Sequence, residues 1–222
     1  MQKRAVEILK RFLVVAVFSI ALAYFEAAVV VYLRAIFYPE GFTFPLSKFG
    51  LSPLWKRLLL TEIGRETASM LLLAGAAWLF ARNRKQRIAF FLTIFALWDI
   101  FYYLWLKVLL NWPASIMDWD ILFLIPTAWA SPVIAPVIVS MIMLIFAAII
   151  LYRDAKNKTI TVYPIDWISF AVSSVIIVTS FCIAGSHISQ TDYRTHFYFS
   201  LFAAGSLLAV IQFIKCLRQS SP

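Results

Sequence analysis

Apolar residues run through this chain in six long stretches, at about 12–37, 54–81, 88–110, 132–152, 165–187 and 195–214. Between them lie short segments that gather charge, proline and glycine. Each stretch reaches the roughly 20 residues a helix needs to cross a bilayer. None alternates apolar and polar positions, as a membrane barrel strand would. The pattern predicts an all-α integral membrane protein, with residues 1–222 forming a single transmembrane helical domain, a six-transmembrane-helix bundle.

Composition agrees with the pattern. Hydrophobic residues make up 63% of the 222 positions and charged residues 14%, against about 25% charged in a soluble domain. Mean hydropathy is +0.85. Phe, Trp and Tyr at 17% suit aromatic belts at two membrane interfaces. Cys182 falls inside a stretch and Cys216 near the basic C-terminal end, so no disulfide is expected.

Charge placement predicts orientation. Lys3, Arg4, Lys10, Arg11, then Arg82, Arg84, Lys85, Arg87, then Arg153, Lys156, Lys158, then Lys215 and Arg218 flank alternate ends of the stretches. Only Glu7, Asp154 and Asp166 oppose them, so this side carries net +10 of the chain's formal +9. Positively charged flanks stay in the cytoplasm. Both termini are therefore expected inside a cell (inner) membrane, against anionic inner-leaflet lipids. No basic stripe stands apart from a membrane boundary, which argues against a nucleic-acid partner. The basic start, the run FLVVAVFSI and Ala21-Leu22-Ala23 resemble a cleavable leader. The apolar run continues to Phe37, so residues 1–23 are expected to remain as part of the first span.

Two loops carry more than connection. Ser52-Pro53 is a good N-cap and first-turn pair for the second span. Ser115 followed by Asp118 resembles a capping box, and Trp112, Trp119 and Trp129 flank it. A short interfacial helix at 115–126 fits these residues as well as a plain tryptophan-anchored loop does.

Ionisable residues inside the stretches are the main functional signal, because a charge in hydrocarbon costs several kcal/mol. Counting about 1.5 Å per residue from the outer helix ends puts Glu26 about 16 Å deep, Glu62 and Glu66 about 12 and 18 Å, and Asp99 about 16 Å. Arg65 lies between the second pair. Glu62 and Glu66 share a helix face, and Asp99, Tyr103 and Lys107 make a stripe at intervals of four, flanked by Tyr102. Arg34 and Lys107 sit only about 4–5 Å from the outer ends. Four carboxylates against one guanidinium require protonation, a bound cation or water. A network that only locks helices together is the competing explanation.

A second set lies in the other half. His187 ends the fifth stretch, and Asp192 and His196 open the sixth. Two imidazoles and a carboxylate form a candidate divalent-metal site, for zinc, copper or iron. Equally, Asp192 or Thr191 would cap the sixth helix and leave the histidines wet. Phosphate loops, His-rich desaturase sets and nucleophile elbows are absent. The fourth and fifth stretches lack central charges and are expected to be scaffold or lipid-facing helices.

TEIGRE (61–66), WDIFYYLWLK (98–107) with NWP (111–113), and WDILFLIP (119–126) resemble an uncharacterised family of small prokaryotic multi-span membrane proteins. The resemblance covers about residues 24–140 and implies a membrane bundle without implying an activity. The residues themselves point to a site among helices 1–3, open to the outer face, that handles a cation, proton or small polar molecule. Its binding residues would be Glu26, Glu62, Arg65, Glu66, Asp99, Tyr103, Lys107 and Arg34. The alternatives are a metal-dependent membrane enzyme and a structural subunit of a membrane complex, with a homo-oligomer or another subunit as partner.

Overall fold

The computed structural model describes residues 2–46, 53–158 and 160–220. Within them run helices α1 (Gln2–Phe37), α2 (Pro53–Phe80), α3 (Arg84–Leu110), α4 (Ile134–Ala155), α5 (Pro164–Gly185) and α6 (Phe199–Gln219). Between α3 and α4 lie strands β1 (Trp119–Phe123) and β2 (Trp129–Pro132), and a 3-10 turn at Tyr193–His196 precedes α6. Five of the helices are long and apolar enough to cross a membrane, and α2, interrupted by Glu62, Arg65 and Glu66, is not among them. Ser52 of the expected cap pair lies outside the described residues.

α3 organises the packing. α1, α2 and α4 all lie against it, while α5 and α6 pair with each other. Small side chains let these helices approach closely: Ala23, Ala27, Ala89 and Ala96 are fully buried. α5 and α6 cross where a Cβ on Gly205 would lie 2.8 Å from the Ile177 side chain. There Ser173 Oγ donates to the Gly205 carbonyl at 2.7 Å. Large apolar side chains point outward along every helix, Leu79 at 83% exposure among them. An outward apolar surface is what contact with lipid requires, since no hydrophobic force gathers those side chains inward there.

The basic residues that the sequence placed on one side do gather at one end of the bundle. They are also tied there by hydrogen bonds. Buried Asp154 on α4 accepts from Arg4 on α1 at 2.9 Å, from Asn83 at 3.3 Å and from Gln86 on α3 at 2.8 Å. Asn83 caps α3 by accepting the Gln86 N–H at 2.9 Å. A second knot holds α5 to α6, where Asp166 accepts from Gln212 at 2.7 Å and Lys215 at 3.1 Å.

The opposite end departs from the expectation of an interfacial helix at 115–126. Asp118 accepts the N–H groups of Ala114 and Ser115 at 2.7 and 3.1 Å, which closes a local turn and starts no helix. The β-branched and aromatic run that follows forms an antiparallel hairpin, with Trp119 opposite Pro132, Asp120 opposite Ser131 and Ile121 opposite Ala130. Pro126 disfavours a helical Ile125. A lone two-stranded ribbon is marginal in isolation, and this one is wedged into the bundle. Trp119 packs on Tyr193 and Phe197, Phe123 on Trp98 midway along α3, and Trp129 on Phe181. At its return the hairpin presses so closely on α5 that a Cβ on Gly185 would lie 1.7 Å from the Ala128 carbonyl oxygen. Ser131 and Pro132 belong to β2, which is why α4 starts two residues later than its apolar stretch.

Candidate functional site

The hairpin, α1, α2 and α3 enclose a cavity of about 160 Å³. Seven of the eight residues that the sequence nominates line it: Glu26, Glu62, Arg65, Glu66, Asp99, Tyr103 and Arg34. They come from separate elements, and each is held by a different device.

Arg65 is the hub. Its Nη1 reaches both oxygens of Glu26 on α1 at 2.5 Å, and its Nε donates to Glu62, one turn away on α2, at 2.6 Å. The three side chains are 22%, 13% and 14% exposed, so the network is partly shielded from solvent. Glu66, on the next turn, faces the hairpin and accepts the backbone N–H of Leu124 at 3.0 Å. That bond satisfies a donor which this half-buried, non-helical backbone would otherwise leave without a partner in the protein. Asp99 on α3 accepts from Ser140 Oγ on α4 at 2.8 Å. The fourth stretch, expected to be scaffold, thus supplies a hydrogen-bond donor to the site.

The hairpin adds a carboxylate of its own. Asp120, 2% exposed, accepts from Arg34 at 3.1 Å and from the Tyr102 hydroxyl at 3.1 Å. The Arg34 guanidinium lies between the rings of Phe42 and Trp112, 4.0 and 3.8 Å from their centroids. Such stacking suits a delocalised cation. Arg34 and Asp120 neutralise each other and latch the hairpin to α1 and α3. Beside them, burial raises the Tyr38 phenol above its usual range, so it remains protonated at neutral pH. What remains is an excess of acid: with Arg34 paired to Asp120, the lining holds Glu26, Glu62, Glu66 and Asp99 against Arg65.

Lys107 stands apart. It is exposed, and its ammonium donates to the Asn111 and Pro113 carbonyls at 3.3 and 3.0 Å, closing the C-terminal end of α3 outside the cavity. The histidine set is also elsewhere. His187 and His196 stack face to face, centroids 3.6 Å apart and 7° from parallel. Asp192 Oδ2 lies 3.4 Å from His196 Nε2. His187 Nδ1 lies 2.9 Å from the Ile183 carbonyl. Imidazole lone pairs lie in the ring plane, so stacked parallel rings do not aim them at a common point. Among the described residues no group of three His, Cys, Asp or Glu side chains is placed to hold a metal ion.

Asp120, Trp98, Tyr38 and Ser140 join the site without having stood out in the sequence. One signal for Asp120 was present: Trp-Asp-Ile occurs at 98–100 and again at 119–121, and both aspartates reach this cavity. The chain matches no protein-family model, no curated protein and no solved structure.

Proposed function

We propose that this is a six-span membrane protein with both termini in the cytoplasm, whose cavity among α1–α3 and the hairpin handles a cation, a proton or a small polar molecule. One observation carries the reading: a cavity of about 160 Å³ whose lining sets four carboxylates against Arg65. A network serving only to lock helices would be closed and close to neutral. This one borders a cavity and carries a formal excess of acid. The orientation is supported by the net +10 on the basic end. With that end inside, the hairpin and the cavity lie toward the outer face. α2 crosses despite its charges because Glu26 on α1 meets Arg65, so the pair enters the bilayer largely neutralised.

The test is ligand-dependent stabilisation, since anything that binds the folded state alone raises its melting temperature. Purified protein is scanned with Na⁺, K⁺, Mg²⁺, Ca²⁺ and ammonium salts and across pH 5.5–8.5 (a range of about three units around neutrality). At least one cation or the proton should stabilise the wild type saturably, and Glu66→Gln/Asp99→Asn should lose that response. Identical responses in both proteins would sink the reading.

A further inference from the structure

We infer that the occupant of this cavity is a small organic ammonium ion that also carries a hydrogen-bond acceptor and an apolar group. The inference rests on the proposed cation-handling role and narrows it to a ligand class.

Three features of the lining lead there. First, the carboxylates are dispersed. Glu26 and Glu62 are drawn to Arg65, Glu66 to the Leu124 N–H and Asp99 to Ser140. A hard cation such as Ca²⁺ or Mg²⁺ wants about six oxygens converging at 2.0–2.6 Å, and among the described residues no three acids are grouped to hold a metal ion. A bulkier ammonium accepts a looser, one-sided arrangement of negative charge.

Second, the walls are aromatic and aliphatic. Trp98, Tyr102, Tyr103 and Phe123 line it from α3 and the hairpin, and Val30, Leu33, Leu58 and Leu59 from α1 and α2. Aromatic faces attract ammonium groups and cost a bare metal ion its hydration shell. The aliphatic wall gives an apolar substituent a place to lie.

Third, one buried donor is left over and a tyrosine hydroxyl stands near it. Trp98 is 7% exposed and its Nε1–H has no hydrogen-bond partner. Tyr103 lines the cavity, and among the described residues its hydroxyl has no hydrogen-bond partner. Buried donors are nearly always paired, so the unpartnered Trp98 Nε1–H, with Tyr103 beside it in the lining, calls for an acceptor brought by the occupant. At roughly 15 Å³ per water-sized position, 160 Å³ admits about ten non-hydrogen atoms.

2-Amino-1-phenylethanol has that size and all three groups. Its neutral counterpart, 1-phenylethane-1,2-diol, replaces the ammonium with a hydroxyl. Binding of both is measured by calorimetry on the full-length protein in detergent, alongside CaCl₂ and MgCl₂. The amine should bind saturably and at least about tenfold more tightly than the diol, as expected for a charge-assisted contact. Glu66→Gln should weaken the amine about tenfold and leave the diol unchanged. Tyr103→Phe, which keeps the ring, should weaken both by a factor of about three to ten. Equal binding of amine and diol, or an amine response untouched by Glu66→Gln, overturns the ammonium assignment. If the amine fails to bind while an inorganic cation or pH still separates wild type from Glu66→Gln/Asp99→Asn, this inference fails and the cation-handling role stands. If nothing separates those two proteins, both fail.

Discussion

Replacing Arg65 by leucine should destabilise the protein more than any other single change in the site. The guanidinium touches Glu26 with one nitrogen and Glu62 with another. Leucine fills part of the volume but leaves two carboxylates facing each other, each at most 14% exposed. Breaking a buried pair by removing one partner costs about 3–5 kcal/mol. Arg65 itself is 22% exposed, so water screens part of the loss and a value of about 2–4 kcal/mol is expected. At about 2–4 °C per kcal/mol for a chain of this size, melting should fall by roughly 4–16 °C. Adding Glu26→Gln to Arg65→Leu should recover about half of that loss, since the acid that needed the arginine is then neutral. Thermal unfolding followed by tryptophan fluorescence in detergent, over the four proteins of the double-mutant cycle, measures both numbers. If Arg65→Leu melts within about 1 °C of wild type, or if the two substitutions are additive within about 0.5 kcal/mol, the pair is solvated and the shielded network does not exist.

Other outcomes follow from single contacts. Glu66→Gln retains an oxygen for the Leu124 N–H and should cost under about 1 kcal/mol, whereas Glu66→Leu orphans that donor and should cost about 1–3 kcal/mol, as read by chemical denaturation. Gly185→Ala drives a methyl into the Ala128 carbonyl and should destabilise by about 1–3 kcal/mol. Gly75→Ala, with nothing within 4 Å of the added carbon, should be neutral or stabilise by up to about 1 kcal/mol. In a background lacking Cys182 and Cys216, a cysteine at Ser189 should react with an impermeant maleimide on intact cells and one at Lys158 should not. The reverse pattern would invert the proposed orientation.

Helices were legible in the sequence because lipid-length apolar runs and their charged flanks leave little else to build. Depth counting likewise put Glu26, Glu62, Glu66 and Asp99 at one level, and all four line one cavity. The segment after α3 was not legible. Ser115 and Asp118 satisfy a helix-start pattern and a closed turn equally well, and tertiary contacts chose the turn. Trp119 and Phe123 have stronger partners in Tyr193 and Trp98 than an interface would offer. Asp120 was signalled only by the repeated Trp-Asp-Ile: its partner Arg34 lies 86 positions away, a separation no local spacing rule reaches. Lys107 shows the opposite failure. It continues the i, i+4 stripe of Asp99 and Tyr103, yet the end of its own helix offers two carbonyls closer than the cavity.

The charges of α2 also bear on how the chain is made. Each charged residue near the centre of a nascent helix disfavours its partition into the bilayer by about 2.5–3.5 kcal/mol, and α2 carries Glu62, Arg65 and Glu66 there. Alone it would remain in the aqueous channel of the insertion machinery. α1, long and apolar, leaves that channel readily and presents Glu26 at the depth of Arg65. Once the two have met, the mid-helix charge of α2 still without its partner is Glu66, since Leu124 has yet to be synthesised. In the proposed six-span arrangement, integration of the second helix would be completed only when the hairpin emerges some sixty residues later. On that proposal the first half of the chain would wait, partly assembled, for a short ribbon of its own sequence to seat it.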